Sequence, residues 1–215
     1  MSFLNQLKSQ AAELQSRQAR EQRNFEESTA QTEYACNTVA AYLRELARQL
    51  NVIAPPGPAL SVDGKTPWPA MRLESFRCDA RLKTLRGKEV YDHLSLSWDI
   101  VPQHGKPVPA CVTVNFPPDL ERVQKRLGWG AIPHERSDIR HPEKNVLLAY
   151  RFEFLTQSRG SVLVTPDHDT ATVAFRAMNL SGFELVQASW SARQVGQPLL
   201  DELAKRIVQQ PHAFG

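Results

Sequence analysis

Residues 76–100 read FRCDARLKTLRGKEVYDHLSLSWDI, and their alternation sets the fold class. Phe76, Cys78, Ala80 and Leu82 interleave with Arg77, Asp79, Arg81 and Lys83. The chain turns at Arg86-Gly87, and Leu94, Leu96, Trp98 and Ile100 then repeat the pattern. Side chains of a strand point alternately to its two faces, so this period of two predicts a hairpin with one apolar face. Downstream, Ala110, Val112, Val114 and Phe116 predict a third strand. Pro117-Pro118-Asp119 then opens a helix expected over 118–127 and closed by Gly128.

The stretch 128–145 is polar and reads as a long irregular loop. Beyond it, apolar alternation returns at 146–154, 162–164, 171–177 and 183–190, separated by turn residues, and a last helix is expected over 198–209. Short turns between strands predict an antiparallel meander of about seven strands, so the class is α+β, with helices covering one sheet. There is no strand-helix-strand rhythm of the kind that binds dinucleotides.

Upstream of the hairpin the period changes. Residues 2–53 contain neither glycine nor proline and are rich in Gln, Glu, Ala, Arg and Leu, which predicts an N-terminal helical arm over 1–53. Leu4, Leu7, Ala11 and Leu14 step by three and four residues, and so do Cys36, Val39, Leu43, Leu46, Leu50 and Ile53. The two series are out of heptad phase, and Ser28 with Gln31 could form a capping box. Two helices with a break near 24–29 are therefore expected. The broad second stripe suits a sheet. The narrow first stripe suits pairing between chains through Leu4, Leu7, Ala11 and Leu14. Residues 54–70, APPGPALSVDGKTPWPA, read as a proline-rich linker to a sheet domain over 71–215.

The chain has 215 residues, 41% hydrophobic and 23% charged, which excludes a disordered or collagenous protein. Its net charge of +3 argues against strong nonspecific binding of nucleic acid. Residues 1–53 carry six basic and six acidic side chains, so the excess of 20 over 17 lies in the remainder. A neutral arm of mixed sign suits a protein partner. No signal peptide and no membrane-spanning stretch is read, so the expected compartment is the cytoplasm. Cys36, Cys78 and Cys111 are far apart and read as buried free thiols.

Several motifs suggest chemistry. Gly64-Lys65-Thr66 resembles the end of a phosphate loop, but Ala59 stands where that loop needs glycine and Pro67 follows where a helix is needed. On a helix, His134, Asp138 and His141 would share one face and could hold a metal, with Glu135 as base. Pro133 and Pro142 bracket too short a stretch for that, so no metal or other cofactor is expected. Asp167-His168-Asp169 follows Pro166 and reads as turn chemistry. Arg122, Lys125 and Arg126 beside Trp129 form a candidate surface for a protein or ligand. Arg77, Arg81 and Lys83, with Arg72 before them, form a basic row on the outward face of the first strand.

No convergent catalytic set emerges. The function expected is non-enzymatic: an interaction or scaffolding protein, homo-oligomeric through its arm, with no membrane or nucleic-acid partner. One alternative is a small-molecule or lipid-binding module using a cup between sheet and helix. The other is a metal-dependent enzyme using residues 128–145.

Overall fold

The computed structural model describes residues 3–214. The fold is α+β, with antiparallel sheets and a long N-terminal helix. In chain order the elements are α1 (Phe3–Ile53), β1 (Met71–Leu85), β2 (Lys88–Pro102), β3 (Pro109–Val114), α2 (Pro117–Trp129), β4 (His134–Arg140), β5 (Leu147–Leu155), β6 (Ser158–Asp167), β7 (Thr172–Met178), β8 (Leu185–Ser191) and α3 (Gln197–Ile207).

The strands form two sheets instead of one meander, ordered β1-β2-β6-β7-β8 and β3-β5-β4. One ladder joins them. β2 pairs with β6 as far as Ile100↔Ser158, and pairing resumes at Pro109↔Leu155 between β3 and β5. Between these points residues 101–108 oppose only Thr156 and Gln157. The excess chain bulges out, with Gly105 at φ +78°, and the ribbon splits. The Thr156 N–H donates to the Val108 carbonyl at 3.0 Å, and its hydroxyl accepts from the Val108 N–H at 3.0 Å, which carries the ladder across the gap.

The expected break in α1 does not occur. The middle of the helix holds no residue that stops a helix, and side-chain links one turn apart support it. Arg17 pairs with Glu21 at 3.0 Å, Gln22 donates to Glu26 at 2.8 Å and Gln31 to Glu27 at 2.9 Å. Ser28 does not cap; its carbonyl accepts from the Thr32 hydroxyl at 2.8 Å. The C-terminal half buries Thr32, Ala35, Cys36, Val39, Ala40, Leu43, Ala47 and Leu50 in one core with Leu94, Leu96, Val162 and Val164 of the five-stranded sheet and Leu200 and Leu203 of α3. Ile53, expected in this stripe, is exposed because the helix ends there and the chain turns away.

One bulge on β1 shifts its alternation, and a second irregularity in the same ladder lies on β2. At the first, Ser75 has φ +59° and the Asn51 side chain of α1 takes the place of a strand partner. Its amide donates to the Phe76 carbonyl at 2.9 Å and its oxygen accepts from the Phe76 N–H at 2.7 Å. The second lies opposite Arg81 and Leu82, where Asp92 is the extra residue of β2. Leu82, expected inward, is exposed, and Lys83 approaches Asp92 at 3.4 Å.

Residues 54–70 are not a free linker. Pro55 and Gly57 bond to β1, through Leu73 N–H to the Pro55 carbonyl and Gly57 N–H to the Met71 carbonyl, both at 2.8 Å. Leu60, Val62 and Trp68 are buried, and Trp68 lies 5.9 Å from Phe154 and 5.4 Å from Phe183 between ring centroids. The loop expected over 128–145 contains β4, because its backbone ladder with β5 holds it extended despite its polar composition.

Candidate functional site

Every residue from Phe3 to Asn24 is exposed. The first residue of α1 to rest on the globule is Phe25, whose ring lies 4.2 Å below the Arg86 guanidinium at the tip of the β1–β2 hairpin. Arg193 then reaches Gln31 at 3.2 Å and Glu27 at 3.4 Å. Residues 3–24 therefore project for about 33 Å at about 1.5 Å per residue.

The direction in which this arm presents its apolar side follows from helix geometry. Leu4, Leu7, Ala11 and Leu14 precede Ala40, Leu43, Ala47 and Leu50 by thirty-six residues each, about ten turns at about 3.6 residues per turn. The two stripes therefore lie on the same side of one helix. The four later residues are buried on the sheet, while Leu7 is 45% and Leu4 58% exposed. The arm is an overhang whose apolar side faces the way the sheet lies, with none of the described chain beneath it. Its phase mismatch with Cys36 and Val39 reflects the breadth of the buried stripe, not a break.

The surface expected around Trp129 is divided among other tasks. Arg122 pairs with Asp119 one turn back. Lys125 Nζ sits 4.7 Å over the half-buried Trp129 ring, whose backbone carbonyl accepts from Asn179 at 2.7 Å. Arg126 points inward and donates to the carbonyls of Ser61 and Val62, each at 3.2 Å. It clamps the loop that holds Gly64-Lys65-Thr66. That loop is wound around Asp63, whose carboxylate accepts from the backbone N–H groups of Lys65 and Thr66 and from the hydroxyls of Ser61 and Thr66. Burial opposes the charge on Asp63, but these four bonds outweigh it and hold the carboxyl down to about 2. A phosphate would meet this carboxylate.

The metal reading needed a helix, and His134, Asp138 and His141 are not on one. His134 and Asp138 lie on extended β4, about 13 Å apart at about 3.3 Å per residue, and His141 falls beyond its end. His134 Nδ1 contacts the Ile132 carbonyl at 2.9 Å, and Asp138 accepts from Arg140 at 3.0 Å. Among the described residues no group of three His, Cys, Asp or Glu side chains could hold a metal. None of the described helices is long and apolar enough to cross a membrane.

At Asp167-His168-Asp169, Asp167 accepts from the backbone N–H groups of Asp169 and Thr170, as turn chemistry predicts. His168, however, is only 3% exposed, and its Nε2 donates to the Glu33 carboxylate of α1 at 2.9 Å. The same carboxylate oxygen accepts from the Tyr91 N–H at 3.0 Å. This junction joins α1 to β2 and to the β6–β7 turn where the arm leaves the globule. Its members are too distant in sequence to suggest it.

The cup expected under the helix is filled by Cys36, Val39 and Leu43 themselves. Burial pushes the Cys36 thiol up to about 12, with the Glu33 charge adding to it. Cys78 is half-buried and Cys111 exposed, so only one of the three thiols is buried as expected. Cys111 faces an open groove of about 690 Å³ on the three-stranded sheet, rimmed by Pro133, His134 and Glu135. On the groove floor Arg151 is paired with Glu153 at 2.7 Å. Comparison with known proteins finds no matching family model, no similar curated protein and no similar solved structure.

Proposed function

We propose that this protein is a non-enzymatic scaffold that self-associates through its projecting arm, with Leu4, Leu7, Ala11 and Leu14 packing against the same residues of a second copy. The observation that carries this reading is the apolar stripe in register with the buried one yet resting on nothing. The arrangement follows from the same geometry. Parallel arms would place two sheets in the space between two helices that must approach to about 10 Å. Antiparallel arms put the two globules at opposite ends. The spacing of three, four and three reads the same in both directions, so Leu4 meets Leu14 and Leu7 meets Ala11 about a centre at Ser9.

Light scattering on the full chain tests this. Leu7→Glu/Leu14→Glu lowers the assembled mass while the circular dichroism of the globule is unchanged. An unchanged mass overturns the reading. Orientation is read by a spin label at Asn24→Cys with Cys78 and Cys111 replaced by serine. Antiparallel arms give a label separation of about 45 Å, whereas parallel arms give about 10–15 Å.

A further inference from the structure

β4 is the edge of the three-stranded sheet, and all seven of its residues are exposed. Its inner side pairs with β5, and its outer side pairs with no strand of the described chain. Such an edge is a template for another strand unless something blunts it, and charge is the usual means. Here the charges carry a pattern. His134, Arg136, Asp138 and Arg140 alternate with Glu135, Ser137 and Ile139, so Arg136 and Asp138 lie on one face, either side of Ser137.

We propose that β4 pairs antiparallel with β4 of a second copy about Ser137, joining two three-stranded sheets into one of six strands. In this register Arg136 stands opposite Asp138 of the other copy, twice by symmetry. Glu135 stands opposite Ile139, and His134 opposite Arg140. A shift by two residues sets Arg136 against Arg136 or Asp138 against Asp138. A shift by one turns the side chains to opposite faces. Pro133 and Pro142 flank the strand and end the ladder at both sides. Of the registers on one face, this one alone pairs all seven residues of β4 and sets Arg136 against Asp138 twice, and its partner is the same strand.

In the isolated chain Asp138 accepts from Arg140 at 3.0 Å and the Arg136 guanidinium rests 4.0 Å over Tyr150. Both acidic and basic groups are exposed, so they are free to exchange partners across the edge. This contact lies on a different element from the arm and does not depend on it. With both contacts in use, each chain touches two others through two separate twofold axes, and the assembly is an open row.

The test is sedimentation equilibrium on the full chain, with and without Leu7→Glu/Leu14→Glu. The chain with the altered arm is expected to remain dimeric. In it, Arg136→Asp or Asp138→Arg raises the dissociation constant about tenfold or more, because each places four like charges together. The double variant Arg136→Asp/Asp138→Arg restores it to within about threefold of its parent. A chain with the altered arm that is monomeric at all concentrations overturns the β4 contact. So does equal dissociation of the single and double variants. Failure of the arm reading shows separately, as no mass difference between the unaltered chain and Leu7→Glu/Leu14→Glu, and leaves the charge-exchange result decisive for β4.

Discussion

Leu14 and Leu50 occupy the same angular position on α1, ten turns apart, yet Leu50 is 4% exposed and Leu14 is 59% exposed. One helix thus carries one apolar side, and the sheet covers only the C-terminal half of it. The two leucines should differ in kind when truncated. Leu50→Ala opens a hole in the core and lowers unfolding stability by about 2–5 kcal/mol. Leu14→Ala leaves unfolding of the globule within about 0.5 kcal/mol, as a surface change does, and acts on association. Urea unfolding at a concentration below association checks both values.

Gly160 stands opposite Trp98 in the β2–β6 pair, and the indole lies across it. A Cβ at Gly160 would fall 2.2 Å from Trp98, while the indole is also stacked on Phe76 at 5.5 Å and cannot retreat. Gly160→Ala is expected to cost about 1–3 kcal/mol by overpacking. In a Trp98→Leu background the added methyl has room and its cost falls. A double-mutant cycle should therefore give a coupling of about 0.5–3 kcal/mol, and additive effects would contradict the contact.

Glu33 serves two donors that have no other route to an acceptor on α1, the His168 imidazole and the Tyr91 N–H. Glu33→Ala leaves the buried imidazole without this partner and is expected to lower stability by about 1–3 kcal/mol. Glu33→Gln keeps an acceptor oxygen and should lose less. Hydrogen exchange at Tyr91 is the local readout, faster in Glu33→Ala than in Glu33→Gln.

Asp63 gives the loop at 61–66 a pH dependence. Its carboxyl lies at about 2 in the folded chain and near 3.8 when free, so it binds protons more weakly when folded. Its contribution is therefore complete above about 4 and is lost as the pH falls toward about 2. Stability measured against pH should slope less steeply over that window in Asp63→Asn. An unchanged slope would show that the four hydrogen bonds do not hold the ionised form.

Much of this was legible in the chain itself. The strands β1, β2, β3 and β5 to β8 show their apolar alternation, and Phe3–Ile53 lacks any residue that would stop a helix. The misreadings have local causes. Leu82 obeys the alternation but is exposed, because burial depends on what packs over that stretch of β1 near the hairpin tip. β4 has only one apolar residue, Ile139, so its extended form comes from the β5 ladder and not from its own composition. The break expected in α1 came from comparing stripes by heptads, whereas a straight helix repeats nearly in phase after thirty-six residues.

Local composition and period determined which segments are helix and strand and where the apolar stripe of the arm lies, because those depend on backbone sterics and side-chain spacing within a few residues. Only the tertiary structure decided that the strands form two sheets, that His168 is buried on Glu33, and that the stripe at Leu4 to Leu14 overhangs while its continuation at Ala40 to Leu50 is covered. The physical reason is that burial and pairing belong to neighbours distant in sequence. The same leucine on the same helix face is core where the sheet lies beneath it and open surface where the sheet ends.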